Sequence, residues 1–91
     1  MKDPTLMSAV QVNRSLDVLD SQRAKLVVLL IAAGRGRETS DETYRLSDPL
    51  SLRWREVTDR QAALRAEVER RYGHGAPSRL PRGFGPVNGL R

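Results

Sequence analysis

The stretch PLSLRWREVTDRQAALRAEVERRY, Pro49 to Tyr72, decides the fold. Leu50, Trp54, Val57, Gln61, Leu64 and Val68 recur at steps of three and four residues, with Leu52 and Tyr72 flanking. That spacing keeps one stripe on one face of an α-helix. Asp48-Pro49 stands in front of it. An Asp carboxylate accepts the orphan N–H groups of a first helical turn, and Pro at the first position loses only an N–H that had no partner. Gly73 stands behind, where a left-handed residue closes a helix. The pattern predicts a helix over about 49–72. Gln61 is polar within the stripe: it either fixes register at a cost in stability or marks where the stripe meets water.

Working towards the N-terminus, the first helix in chain order is expected over about 4–33, opened by Asp3-Pro4 and closed by Gly34, which makes 49–72 the second. Ala9, Val12, Leu16, Leu19, Leu26, Leu30 and Ala33 form its seam, which Arg23 interrupts. Met7, Val10, Val18, Val28 and Ile31 add a second strip. Asn13, Ser15, Asp17, Asp20 and Ser21 are modest helix formers and predict a weak point. Between Leu26 and Ala33 the helix is apolar nearly all round and requires cover on more than one side.

The connection, 34–48, is long for two neighbouring helices, which usually need 2–8 residues. Ser40 is placed to cap a short third helix over about 41–46, with Tyr44 and Leu46 facing inwards. The expected fold class is all-α: an antiparallel helical hairpin over residues 1–72, with or without that third helix, and an extended irregular arm over 73–91.

The arm differs in composition. It holds five of the seven glycines, three of the five prolines, Arg79, Arg82 and Arg91, and no acid. It cannot form a core of its own. Leu80, Phe84, Val87 and Leu90 recur every three or four residues and read as anchors for a partner groove.

Composition narrows the function. About 70 residues of helical sequence supply roughly 3–5 kcal/mol of net core stability. With no cysteine, neither a disulfide nor a thiolate metal site can add to it. Self-association or docking on a larger protein is the expected supplement. The longest apolar run, eight residues, falls short of the roughly 20 a membrane span needs. The N-terminus has no apolar signal core. The expectation is therefore a soluble, cytoplasmic protein without a membrane partner.

No catalytic constellation is present. His74 is the one histidine and lacks partners at metal-ligand spacing. The carboxylate pairs Asp17/Asp20, Asp41/Glu42 and Glu67/Glu69 lack the apolar setting that raises a pKa for acid–base work. Gly34-Arg35-Gly36-Arg37 ends a helix, so the dipole points the wrong way for an anion, and no P-loop Lys-Ser/Thr follows. No enzyme activity, cofactor or metal is expected.

The formal net charge is +5, and nearly all the basic residues are arginine. On the second helix, Arg55–Asp59, Glu56–Arg60, Arg65–Glu69 and Glu67–Arg71 stand four apart, as on a self-compensated solvated face. Arg35, Arg37, Arg79, Arg82 and Arg91 remain as phosphate-contacting candidates. So few contacts give weak, salt-sensitive binding without base readout.

The reading that follows is a non-catalytic adaptor, inhibitor or assembly component. Its protein-binding candidates are Leu26, Leu30, Trp54 and Leu64 on the bundle, with Leu80 and Phe84 on the arm. The alternatives are a nucleic-acid accessory protein with an oligomeric bundle and basic arms, and a structural component of a large particle.

Overall fold

The computed structural model describes residues 3–81 and Phe84. Every regular element among them is helical: a 3-10 turn at Pro4–Leu6, α1 at Ala9–Ala32, α2 at Ser40–Arg45 and α3 at Pro49–Tyr72. The two 24-residue helices α1 and α3 pack against each other, and α2 packs on α3.

Asp3-Pro4 does not open the long helix. The Asp3 carboxylate accepts from the Thr5 N–H and hydroxyl, but the turn closes after three residues because Met7 is extended. Met7 thereby enters the core. The α-helix begins instead at Ser8, whose hydroxyl accepts from the Gln11 N–H while the Gln11 side-chain Oε1 accepts from the Ser8 N–H. This reciprocal pair satisfies two orphan donors and outcompetes continuation from Pro4. The segment from Asn13 to Ser21 stays helical. Its polar side chains Asn13, Asp17 and Asp20 bond outwards to the arm rather than back to their own backbone.

The end of α1 is a Schellman turn. Arg35 N–H donates to the Leu30 carbonyl and Gly34 N–H to that of Ile31, with Gly34 at φ +80°. The short third helix exists, capped by Thr39 through a reciprocal bond with Glu42 rather than by Ser40. Thr43 is its buried residue, while Tyr44 and Leu46 stay exposed. Asp48 caps α3 through the Ser51 N–H and hydroxyl, and Gly73 closes it at φ +102°.

The core follows the seam expected from spacing, Ala9, Val12, Leu16, Leu19, Leu26 and Leu30 against Trp54, Val57, Leu64 and Val68, with Met7 and Leu80 added and Ala33 left exposed past the end of α1. Each large apolar side chain buried there contributes roughly 1.5–3 kcal/mol relative to exposure. Contacts across the seam descend α3 as α1 ascends: Met7 meets Arg71, Asp20 meets Gln61, and Arg23 lies 5.0 Å from the Trp54 ring centre. Gln61 is buried and donates to Asp20 at 2.7 Å, so the polar position in the stripe is satisfied by protein.

Candidate protein-binding surface

Two surfaces frame the helix pair: a groove filled by the arm, and an apolar strip left open. The groove lies between α1 and α3 on the side that carries Asn13, Asp17 and Asp20. Arm residue Leu80 is buried there, only 4% exposed. The Asn13 amide holds its main chain twice: Leu80 N–H donates to Asn13 Oδ1, and Asn13 Nδ2 donates to the Leu80 carbonyl, both at 2.8 Å. That is the pairing a neighbouring strand would give, supplied by one side chain. Arg79 donates to Asp17 at 2.8 Å and to Asp20 at 2.7 Å. These bonds, that to Asp17 first, hold its guanidinium above the ordinary arginine range. Asp20 is itself positioned by Gln61. Ala76 and Phe84 pack on the core, and the Phe84 ring lies 5.4 Å from that of Tyr72.

Where the arm leaves α3, Arg71 ties three segments together. It donates to the carbonyls of Pro4, Met7 and Phe84 and pairs with Glu67. Arg35 does comparable work where α1 turns into the connection. It pairs with Glu38 and Asp48 and donates to the Ser51 hydroxyl. Asp48 is pulled down to about 2, first by the Ser51 hydroxyl and then by Arg35. Glu38 is lowered chiefly by Arg35, which is itself raised by these two acids. Arg55 clasps the Tyr44 and Leu46 carbonyls and lies over the Tyr44 ring.

The open strip lies on the C-terminal half of α1. Val28 is 65% exposed and Ile31 59%, with Val27 and Leu29 also exposed. Beside it runs a groove of about 230 Å³ lined by Arg23, Val27, Ile31, Gly36, Thr43 and Trp54. Gly36 permits the close approach of the connection, since a Cβ there would sit 3.2 Å from Ile31 Cγ1.

The residues singled out from sequence divide accordingly. Leu26, Leu30, Trp54 and Leu64 are buried between the helices and hold the pair together. Leu80 and Phe84 pack on the chain's own helices. Arg35 and Arg79 are neutralised internally, Arg37 is exposed, and Arg82 and Arg91 lie outside the described residues, as do Val87 and Leu90. Of the four charge pairs on the second helix, Glu67–Arg71 closes as an ion pair in the structure. Asn13, Asp17, Asp20 and Arg71 were not singled out as arm-holding residues. Their partners lie about 60 residues away in sequence, and no local spacing marks them.

Among the described residues, no group of three or more His, Asp or Glu side chains is placed to hold a metal ion, and no helix is long and apolar enough to cross a membrane. Compared with known proteins, the chain matches no family, no curated protein and no solved structure.

Proposed function

We propose that this chain is a non-catalytic assembly component: an antiparallel helical hairpin that binds protein through the C-terminal half of α1. The observation that carries the reading is the exposure of Val27, Val28 and Ile31 on neighbouring positions of one helix face, with Leu29 exposed beside Val28. Scattered apolar residues on a surface need no explanation, but a contiguous apolar patch is a usual mark of an interaction site. The seam residues Leu26 and Leu30 on the same turns are already buried, so the strip is surplus to the hairpin's own core. The adjoining groove offers a partner apolar walls at Val27 and Ile31 and the stacked pair Arg23–Trp54 at its side. The rigid part is the helix pair, and the arm lies away from the strip, seated on Asn13 and Asp17 in the N-terminal half of α1.

A photocrosslinking amino acid at position 28 of the full chain, expressed in its source cells, tests this. A defined protein adduct is expected at position 28, abolished by Ile31→Glu and missing when the label is moved to the exposed Arg53. Equal, diffuse labelling from both positions would sink the reading.

A further inference from the structure

We infer that the arm also seats in trans, so that two copies of this chain pair by exchanging residues 76–81 between their α1/α3 grooves. The groove is a built peptide site. One side of the Asn13 amide satisfies the N–H of the seated residue and the other its carbonyl. Two carboxylates receive an arginine immediately before it, and an apolar pocket takes the leucine. None of these contacts involves the segment that joins the arm to α3. They depend only on the sequence Ser78-Arg79-Leu80-Pro81, which a second copy presents identically.

The join is a plain hinge. Gly73 and Gly75 have positive φ, and neither has any atom within 4 Å of where a Cβ would be. The turn is tied to α3 by the helix-closing bond from Gly73 N–H to the Glu69 carbonyl. The charged part of the lock is open to solvent: the Asp17 side chain is 71% exposed, so water and salt reach it. Charge also selects the occupant, because the arm carries arginines and no acid while this part of the groove presents two aspartates. Exchange of an identical element conserves every contact and is a low-cost route to a dimer. Against it stands the short tether, which gives the arm a millimolar effective concentration in cis. Weakening the cis lock while preserving the trans one therefore reveals the exchange.

Two full-length variants do this. Arg79→Asp leaves the groove intact and inverts the arm. Asp17→Arg leaves the arm intact and cancels the net charge of the groove, and retains Asp20 for Gln61. The Arg79→Asp chain repels its own arm and the Asp17→Arg chain holds its own less firmly, whereas the unaltered groove of the first attracts the unaltered arm of the second. Light scattering is expected to give monomer mass for each variant alone and a 1:1 heterodimer on mixing, dissociated by high salt. The heterodimer should persist when both chains also carry Val28→Glu, which separates the exchange from docking through the apolar strip. A mixture that retains monomer mass, with both chains helical by circular dichroism, overturns the inference. So does a heterodimer that Val28→Glu abolishes. Should either variant fail to fold, the wild-type chain read by native mass spectrometry above about 1 mM decides. Dimers lost on Asn13→Ala support exchange, and monomer alone refutes it.

Discussion

Glu67 and Arg71 form an ion pair, 2.5 Å apart, in which the side chains are 4% and 1% exposed. The pair is one turn of α3, yet it governs tertiary structure, because Arg71 also holds the carbonyls of Pro4, Met7 and Phe84. Removing one partner of a buried pair costs about 3–5 kcal/mol, as the other charge is left uncompensated. Arg71→Met leaves Glu67 with Arg70 as its remaining partner, so it should destabilise by the lower part of that range, about 3 kcal/mol, and release the N-terminal turn and the arm together. Glu67→Gln keeps an acceptor for Arg71 and should cost less. Urea unfolding checks the order: wild type most stable, then Glu67→Gln, then Arg71→Met. An Arg71→Met variant within about 1 kcal/mol of wild type would show the node to be redundant.

Acid should loosen the opposite end of the helix pair. Asp48 is held at about 2 against an ordinary 3.8, and Glu38 lies below its ordinary 4.5. Both are lowered in the folded state, so their ionisation favours folding above those ordinary values. The contribution disappears as pH falls towards the folded values. Thermal midpoints should be flat above about pH 5 and drop steadily towards pH 2. Arg35→Gln removes a shared cause of both shifts and should flatten the acid limb. An unchanged acid limb in that variant would place the sensitivity elsewhere.

Gln61 interrupts an otherwise apolar seam and is held by Asp20, which has Arg79 as a second partner. Leucine is close to glutamine in volume, and its introduction leaves no buried donor behind. Gln61→Leu is expected to raise the urea midpoint, with a gain on the order of 1 kcal/mol. The same change frees Asp20 to reorient, so hydrogen exchange at the Leu80 amide should quicken. A lowered midpoint would mean that the Gln61–Asp20 bond outweighs the apolar gain.

Local chemistry made some of this legible in the sequence and long-range chemistry hid the rest. The bounds of α3 follow from Asp48-Pro49 and Gly73, residues whose preferences act within one turn. The core follows from spacing, since Leu16, Leu64 and their neighbours lie on one face wherever the helices end. The start of α1 was misjudged because two local signals compete there. Pro4 favours a first turn, but Ser8 and Gln11 satisfy two donors and prevail. The seat of the arm had no local signature. Asn13, Asp17 and Asp20 read as weak helix formers, and only a chain folded back on itself shows them to be partners of Leu80 and Arg79. Exposure of Val28 and Ile31 was equally hidden, for a helix apolar on all sides does not say which side its own core will cover.

The arm's position depends on one backbone conformation. Gly73 sits at φ +102° and ψ −164°, a combination open essentially to glycine alone. A Cβ there meets no atom within 4 Å, so Gly73→Ala acts through backbone strain rather than collision. Strain of that kind costs on the order of 1–3 kcal/mol. Most of it can be relieved by letting the arm leave the groove, because the space around Gly73 and Gly75 is open where a Cβ would stand. Gly73→Ala should therefore release the arm and spare the helix pair. Exchange at the Leu80 amide, whose N–H is bonded to Asn13, should accelerate by one to two orders of magnitude (about 1.4 kcal/mol per tenfold). The amides of Val57 and Leu64 should hold their protection. Gly36→Ala is the comparison, since Gly36 lacks a positive φ and its new methyl group crowds Ile31, with Cγ1 at 3.2 Å and Cα and Cβ at 3.8 Å, rather than the arm. Equal acceleration at Leu80 and Leu64 in Gly73→Ala would mean that arm and core unfold as one unit, and that no open-arm state exists to be populated.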